Sequence, residues 1–331
     1  MGISLLTFDP KLGFVRNLFI GFVLAASACT RPGLPVDGPI VVRSHASEVV
    51  APPASMLTMA QARQYMLALI NRDRASMGLA AVHYDEGPPT RAGQGHAEDM
   101  ARRGYLGHYG LDGSVPEQRL TEAGGADMVL ENASCYVDEK ARTLDASPRI
   151  DPRNIERAEA MFFDEQPPHD GHRRNILGAW HTHVGIGIAQ PVALPVEIPV
   201  PCIAQEFVDA YGSYDSIPRT ASIGAPLRVR GTVSSPARFA AVALARAKMP
   251  VPLSVGEANR RRTYPVPNPQ HVYWPDGAEA GVALRVEGSH FDVRVAGSEI
   301  RQAGLYEVSV WAHMPGEKEA AMVGLRTVLV R

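Results

Sequence analysis

The stretch HDGHRRNILGAWHTHVG, residues 169–185, gathers His169, His172, His181 and His183, four of the chain's eleven histidines, into fifteen positions. Imidazole titrates near neutral pH and, when neutral, offers a nitrogen lone pair, so such a cluster suits a divalent metal or proton transfer. It equally suits a core in which each ring is hydrogen-bonded. Upstream, His108 and Glu131 lie in YLGHYGLDGSVPEQRLTEAGGADMVLENASC, a run rich in glycine and turn residues that reads as a loop lining a site. No H-E-x-x-H helix and no G-x-S-x-G turn occurs in the chain, so no standard hydrolytic constellation is present.

The elements that must position these side chains follow from periodicity. Thr58 with Gln61 three places on forms a capping box, and Tyr65, Met66, Leu69 and Ile70 share one helical face until Gly78 stops the run. A second helix is expected through TRAGQGHAEDMARRG, where Ala92, His96 and Met100 recur every four residues and Gly104 closes it. His96 then faces inward as a hydrogen-bonded core histidine. A third helix starts with Asp151 as N-cap and Pro152 at its first position, and carries Ile155, Ala158 and Phe162 on one stripe. Glu165 continues that stripe, so this carboxylate either escapes at the helix end or faces a polar cavity. His181 and His183 alternate on one strand face before VGIGIA, where a packed or half-exposed ring is the default. His169 reads as a loop residue, and Arg173 and Asn175 as braces of a short helix.

In order along the chain, GHAEDMARRGYLGHYGLDG, LENAS, FFDE and GHRRNILG followed by HVGIGIA resemble the CAP superfamily: cysteine-rich secretory proteins, antigen 5 and plant pathogenesis-related 1, also called the SCP domain, in its bacterial secreted form. The resemblance runs over roughly residues 60–212 and implies an α/β fold, an α-β-α sandwich with a cleft that holds two histidines and two glutamates. Motif by motif, it assigns His108, Glu131, Glu165 and His172 to ligand binding and His108 and His172 to a metal, with Zn2+ or another divalent ion as the implied cofactor. Leu130 stands where the family has a glycine before the glutamate, and a side chain there narrows the backbone choices. Phe162 or Phe163 replaces a tryptophan.

The ends set the cellular context. Lys11 and Arg16 precede the apolar run LFIGFVLAASA, residues 18–28, which is too short to span a bilayer and fits a signal-peptide core. AASAC resembles a bacterial lipobox with Cys29 as the lipidated residue, so export to the cell envelope or beyond is expected, with a membrane contact through Cys29. Cys135 and Cys202 then remain, and in an oxidising compartment such a pair is expected to be bridged. A formal charge of -2 and 7% aromatic residues leave no basic, stacking surface for nucleic acid.

The organisation read from the sequence is a signal peptide at 1–28, a proline-rich tether at 29–55, a CAP domain at 56–218 and a small antiparallel β-sandwich of immunoglobulin-like size at 219–331. In the last, Leu227, Val229 and Val233 alternate with Arg228, Arg230 and Thr232. Phe291, Val293 and Val295, then Tyr306, Val308 and Val310, repeat the pattern. Trp274 and Trp311 are candidates for an exposed binding patch, or else for half-buried packing. Three functions are compatible with these residues. The leading one is an envelope binding module whose cleft receives a metal and a lipid, peptide or cell-wall fragment. The second is a zinc-dependent hydrolase with Glu131 or Glu165 as general base, which two histidines serve one protein ligand short of a usual catalytic zinc site. The third is a purely structural module.

Overall fold

The computed structural model describes residues 50–192, 200–261, 263–275 and 284–331; the signal segment, Cys29 and most of the tether lie outside them. Among the described residues, the first region holds α1 (Met59–Ser76), β1 (His83–Tyr84), α2 (Pro88–Arg103), α3 (Pro116–Glu122), β2 (Met128–Ser134), α4 (Pro152–Phe163), α5 (Gly171–Ile176), β3 (His183–Ala189) and β4 (Cys202–Asp209). The capping box at Thr58 opens α1, and Asp151 accepts from the Arg153 N–H at the start of α4. Gly104 ends α2 in the left-handed region, at φ 67°, where a side chain would be strained.

One four-stranded sheet, ordered β1-β3-β4-β2, divides these helices into two layers. Strand alternation decides which layer each residue meets. Val184, Ile186 and Ile188 of β3 and Ile203 and Phe207 of β4 join Tyr65, Met66, Leu69 and Ile70 of α1 and Ile155, Ala158 and Phe162 of α4 in one core. On the other face β3 presents Gly185, Gly187 and Ala189 to α2. A Cβ on Gly187 would lie 2.2 Å from the Gly93 backbone, and one on Gly185 2.3 Å from that of Pro89, so glycine alone permits this close helix-on-strand approach. The result is the α-β-α sandwich expected from the sequence.

Two expectations change in detail. The stretch read as a site-lining loop contains α3 and β2, and Glu131 sits mid-strand, opposite Glu206 of β4. Leu130 pairs with Phe207 in the same regular ladder, so no glycine is needed there. The ladder also carries the disulfide. Ser134 faces Ile203, which sets Cys135 beside Cys202, and the two are bonded with Cα atoms 4.3 Å apart.

The second region holds β5 (Gly212–Tyr214), β6 (Thr220–Ala221), β7 (Leu227–Val233), β8 (Arg238–Ala247), α6 (Val255–Arg260), β9 (His271–Tyr273), β10 (Leu284–Glu287), β11 (His290–Val295), β12 (Gly304–His313) and β13 (Ala320–Val330). Two sheets, ordered β10-β11-β7-β5 and β6-β13-β12-β8-β9, enclose a core of Val229, Val293, Phe291, Val308, Val310 and Val323. The alternation read from β7, β11 and β12 supplies those inward residues except Val323, which comes from β13. β6 runs parallel to β13, so the sandwich is not antiparallel throughout, and β5 is bonded to β7. Trp311 is buried, with its Nε1–H donating to Ser309 Oγ at 2.9 Å, and half-buried Trp274 packs in the same small cluster, so the two form no exposed patch. The regions are joined by hydrogen bonds from Leu325 N–H to Ala126 O at 3.0 Å and from Thr327 N–H to Thr121 Oγ1 at 3.1 Å.

Candidate functional site

His108 stands in the loop that leaves α2 at Gly104. Tyr105, fully buried, anchors the loop start and donates from its hydroxyl to Asp99 Oδ2 at 2.6 Å. The His108 Nδ1–H donates to Glu131 Oε1 at 2.9 Å. Glu165 lies two residues beyond α4, because the helix ends at Phe163 rather than continuing the stripe. Its two oxygens both hold His172: Oε2 accepts from the backbone N–H at 2.8 Å and Oε1 from Nδ1–H at 2.6 Å. Phe162 packs against the His172 ring at 4.9 Å between centroids. The two imidazoles lie 6.3 Å apart, tilted by 46°. The structure thus brings His108, Glu131, Glu165 and His172 together.

In each pair a carboxylate accepts a hydrogen bond from Nδ1–H, which places the lone pair on Nε2. Neither Nε2 has a hydrogen bond among the described residues. The two carboxylates differ in setting. Glu165 is about a quarter exposed, whereas Glu131 is fully enclosed. Burial alone would raise the Glu131 pKa, but the Arg119 guanidinium, with Nη2 2.6 Å from Oε2, and then His96 and His108 hold it well below the usual carboxylate range. Arg119 also donates to the carbonyls of His108, at 3.0 Å, and Ser114, at 3.1 Å, so one side chain fixes loop and carboxylate together. Across the ladder, Glu206 is raised well above its ordinary value by burial and by the Glu131 charge. Burial lowers the His172 pKa, against the pull of Glu165, which favours the neutral ring.

The other histidines serve the fold. His96 bonds Gly107 O at 2.7 Å through Nε2, 3.7 Å from Glu131, and burial followed by the Arg119 charge pushes its pKa down to about 4. His181 precedes β3 rather than alternating within it, bonds Asp209 at 2.6 Å through Nδ1 and stacks on Phe207. His183 bonds Thr182 and packs on His83. Neither touches the pair. His169 is an exposed loop residue. Arg173 bonds Phe163 O, and Asn175 bonds Glu131 O at 3.1 Å and Asn132 Oδ1 at 2.9 Å, so both brace the walls. Sequence reasoning missed Arg119 and Tyr264, whose ring lies 5.2 Å from that of His108. Nothing local marks either one, since each works across a long separation.

Two imidazoles with oriented rings fit a divalent cation as a donor pair, with water or ligand atoms completing the shell. Among the described residues no group of three or more His, Cys, Asp or Glu forms a fuller protein cage. Residues 67–191, which span all four site residues, match the family model described as the cysteine-rich secretory protein family, CAP. No curated protein matches the chain significantly.

Proposed function

Starting from a chain that carries a CAP domain, we propose an exported cell-envelope protein, anchored by lipid on Cys29, whose cleft binds a divalent metal through His108 and His172 together with a lipid, peptide or cell-wall fragment. One observation carries this reading. Each ring is tied by Nδ1 to its own carboxylate, and the two rings face each other at 6.3 Å with Nε2 uncommitted. A bound metal would supply a positive centre for an anionic group of the ligand. His172, Glu165 and the half-open rim they form would present that centre to solvent, while Arg119 keeps Glu131 ionised behind it. The Cys135–Cys202 bond supports an oxidising compartment.

Binding is favoured over hydrolysis by the occupation of the carboxylates. Glu131 is engaged by His108 and Arg119, and Glu165 by two donors of His172, so each carboxylate already serves to orient a histidine, the role expected in a binding site. The test is metal analysis of full-length protein purified without chelator, with lipid and small-molecule extraction of the same sample. A near-stoichiometric divalent metal that disappears in His108→Ala protein is the expected result. Protein with neither metal nor extractable ligand would overturn the reading.

A further inference from the structure

The rings around the two histidines do not all come from the matched residues. Between β8 and β9 the chain returns to the first region and docks on the loop that bears His108. Leu253 N–H donates to Leu111 O at 2.8 Å, and Asn259 Oδ1 accepts from Leu106 N–H at 3.0 Å. Leu253 and Ala258 are buried in one cluster with Met100, Tyr105 and Cys202. The Arg261 guanidinium lies over the Tyr109 ring, 4.9 Å from its centroid. Behind these contacts comes Tyr264, which is 3% exposed. Its ring sits 5.2 Å from that of His108, inclined by 56°.

The two histidines are therefore unequal in access. The His172 side chain is 30% exposed and that of His108 9%. We propose that Tyr264 is a wall and positioning residue of the His/Glu site, closing the His108 end so that a ligand enters only past His172 and Glu165. Glu131 fixes one edge of the His108 ring through Nδ1, and Tyr264 packs against that ring, so it is held in the rotamer that presents Nε2. A ring held in place beforehand binds more tightly because less freedom is lost on binding. The second region is then part of the binding site. This inference rests on the reading of His108 and His172 as the ligand-binding pair.

The experiment is histidine modification by diethyl pyrocarbonate on the full-length protein, read at each residue by mass spectrometry, in wild type, Tyr264→Ala and Tyr264→Phe. In wild type His108 should react at least about threefold more slowly than His172, the ratio of their exposed side-chain fractions of 9% and 30%. Tyr264→Ala should bring the two rates together, and Tyr264→Phe, which keeps the ring, should restore the protection. In parallel, zinc affinity should fall about tenfold in Tyr264→Ala, the low end for loss of an orienting neighbour, and recover in Tyr264→Phe. Equal reactivity of the two histidines in wild type overturns the proposal with no variant needed. So does a Tyr264→Ala protein with native circular dichroism in which His108 stays protected. A protected His108 that Tyr264→Ala exposes, in protein that takes up no zinc, sustains the wall and defeats only the metal reading.

Discussion

Arg119→Met removes the cation on which the buried half of the site depends. In the native protein Arg119 meets Glu131 Oε2 at 2.6 Å and the carbonyls of His108 and Ser114 at 3.0 and 3.1 Å. The Glu131 side chain is fully enclosed, and Glu206, equally enclosed, faces it across the ladder. Breaking a buried ion pair by deleting one partner costs about 3–5 kcal/mol, because the surviving charge has nowhere to go. Against a total stability of about 5–15 kcal/mol that is a large fraction. With a urea slope of about 3 kcal/mol per molar, the unfolding midpoint should drop by 1 M or more. Part of that cost is relieved when Glu131 takes a proton at neutral pH. The neutral carboxyl is a weaker acceptor for His108 Nδ1–H than the carboxylate, so the His108 proton can move to Nε2 and block the lone pair that would hold a metal. Urea unfolding gives the energy, and histidine 15N spectra give the tautomer. Arg119→Lys keeps the charge without the fork and should fall between the two. An Arg119→Met protein with an unchanged midpoint and His108 still protonated at Nδ1 would refute the reasoning.

Other outcomes follow from single contacts. Reducing Cys135–Cys202 reopens a loop of sequence separation 67, for which chain entropy gives about 4 kcal/mol, so melting with and without reductant should differ strongly. Gly187→Ala drives a methyl into the Gly93 backbone and should cost about 3 kcal/mol, the upper end for overpacking, read as a lower urea midpoint. Burial raises Glu159 to about 8, helped by Asp73; it raises Asp127 to about 7, helped by Asp85 and Asp209, and Glu117 to about 7, helped by Glu131. These groups keep protons in the folded state that the unfolded chain has already released, so their contribution is full below about pH 4 and is lost as pH rises toward 8. His96, pushed down to about 4, acts oppositely and loses its contribution as pH falls below about 6.5. Stability should therefore decline from pH 6.5 to 8.5, by less in Glu159→Gln protein; a flat profile in wild type would contradict the burial of these carboxyls.

The parts of the fold that a local pattern specifies were legible in the sequence. The Thr58 box, the Asp151-Pro152 start and the Gly104 stop each use side chains within one helical turn, and all three occur where expected. In the second region β7 and β11 are legible through their alternation, because one face of each is buried and the other is not, whereas β12 is buried on both faces, with Glu307 and Ser309 inside as well as Tyr306, Val308 and Val310. Glu131 reads as a loop residue because its surroundings are rich in glycine and turn residues, and its place inside a strand depends on Arg119, twelve residues earlier on another element, and on His96 and His108. The helical stripe extended to Glu165 runs two residues past the last helical residue, Phe163, since periodicity alone does not locate a helix end. Tyr264 was invisible for a topological reason: it lies 156 residues from His108, in a segment that leaves one sandwich to complete the wall of another.

The central claim is that His108 and His172 together bind a divalent metal. Zinc titration calorimetry on chelator-stripped full-length protein, run beside His108→Ala and His172→Ala at several pH values, tests it directly. The account predicts one zinc per wild-type chain, proton release on binding with affinity that falls as pH is lowered, and no binding in either variant. A wild type that takes up no zinc, or a variant that takes it up unchanged, would contradict it.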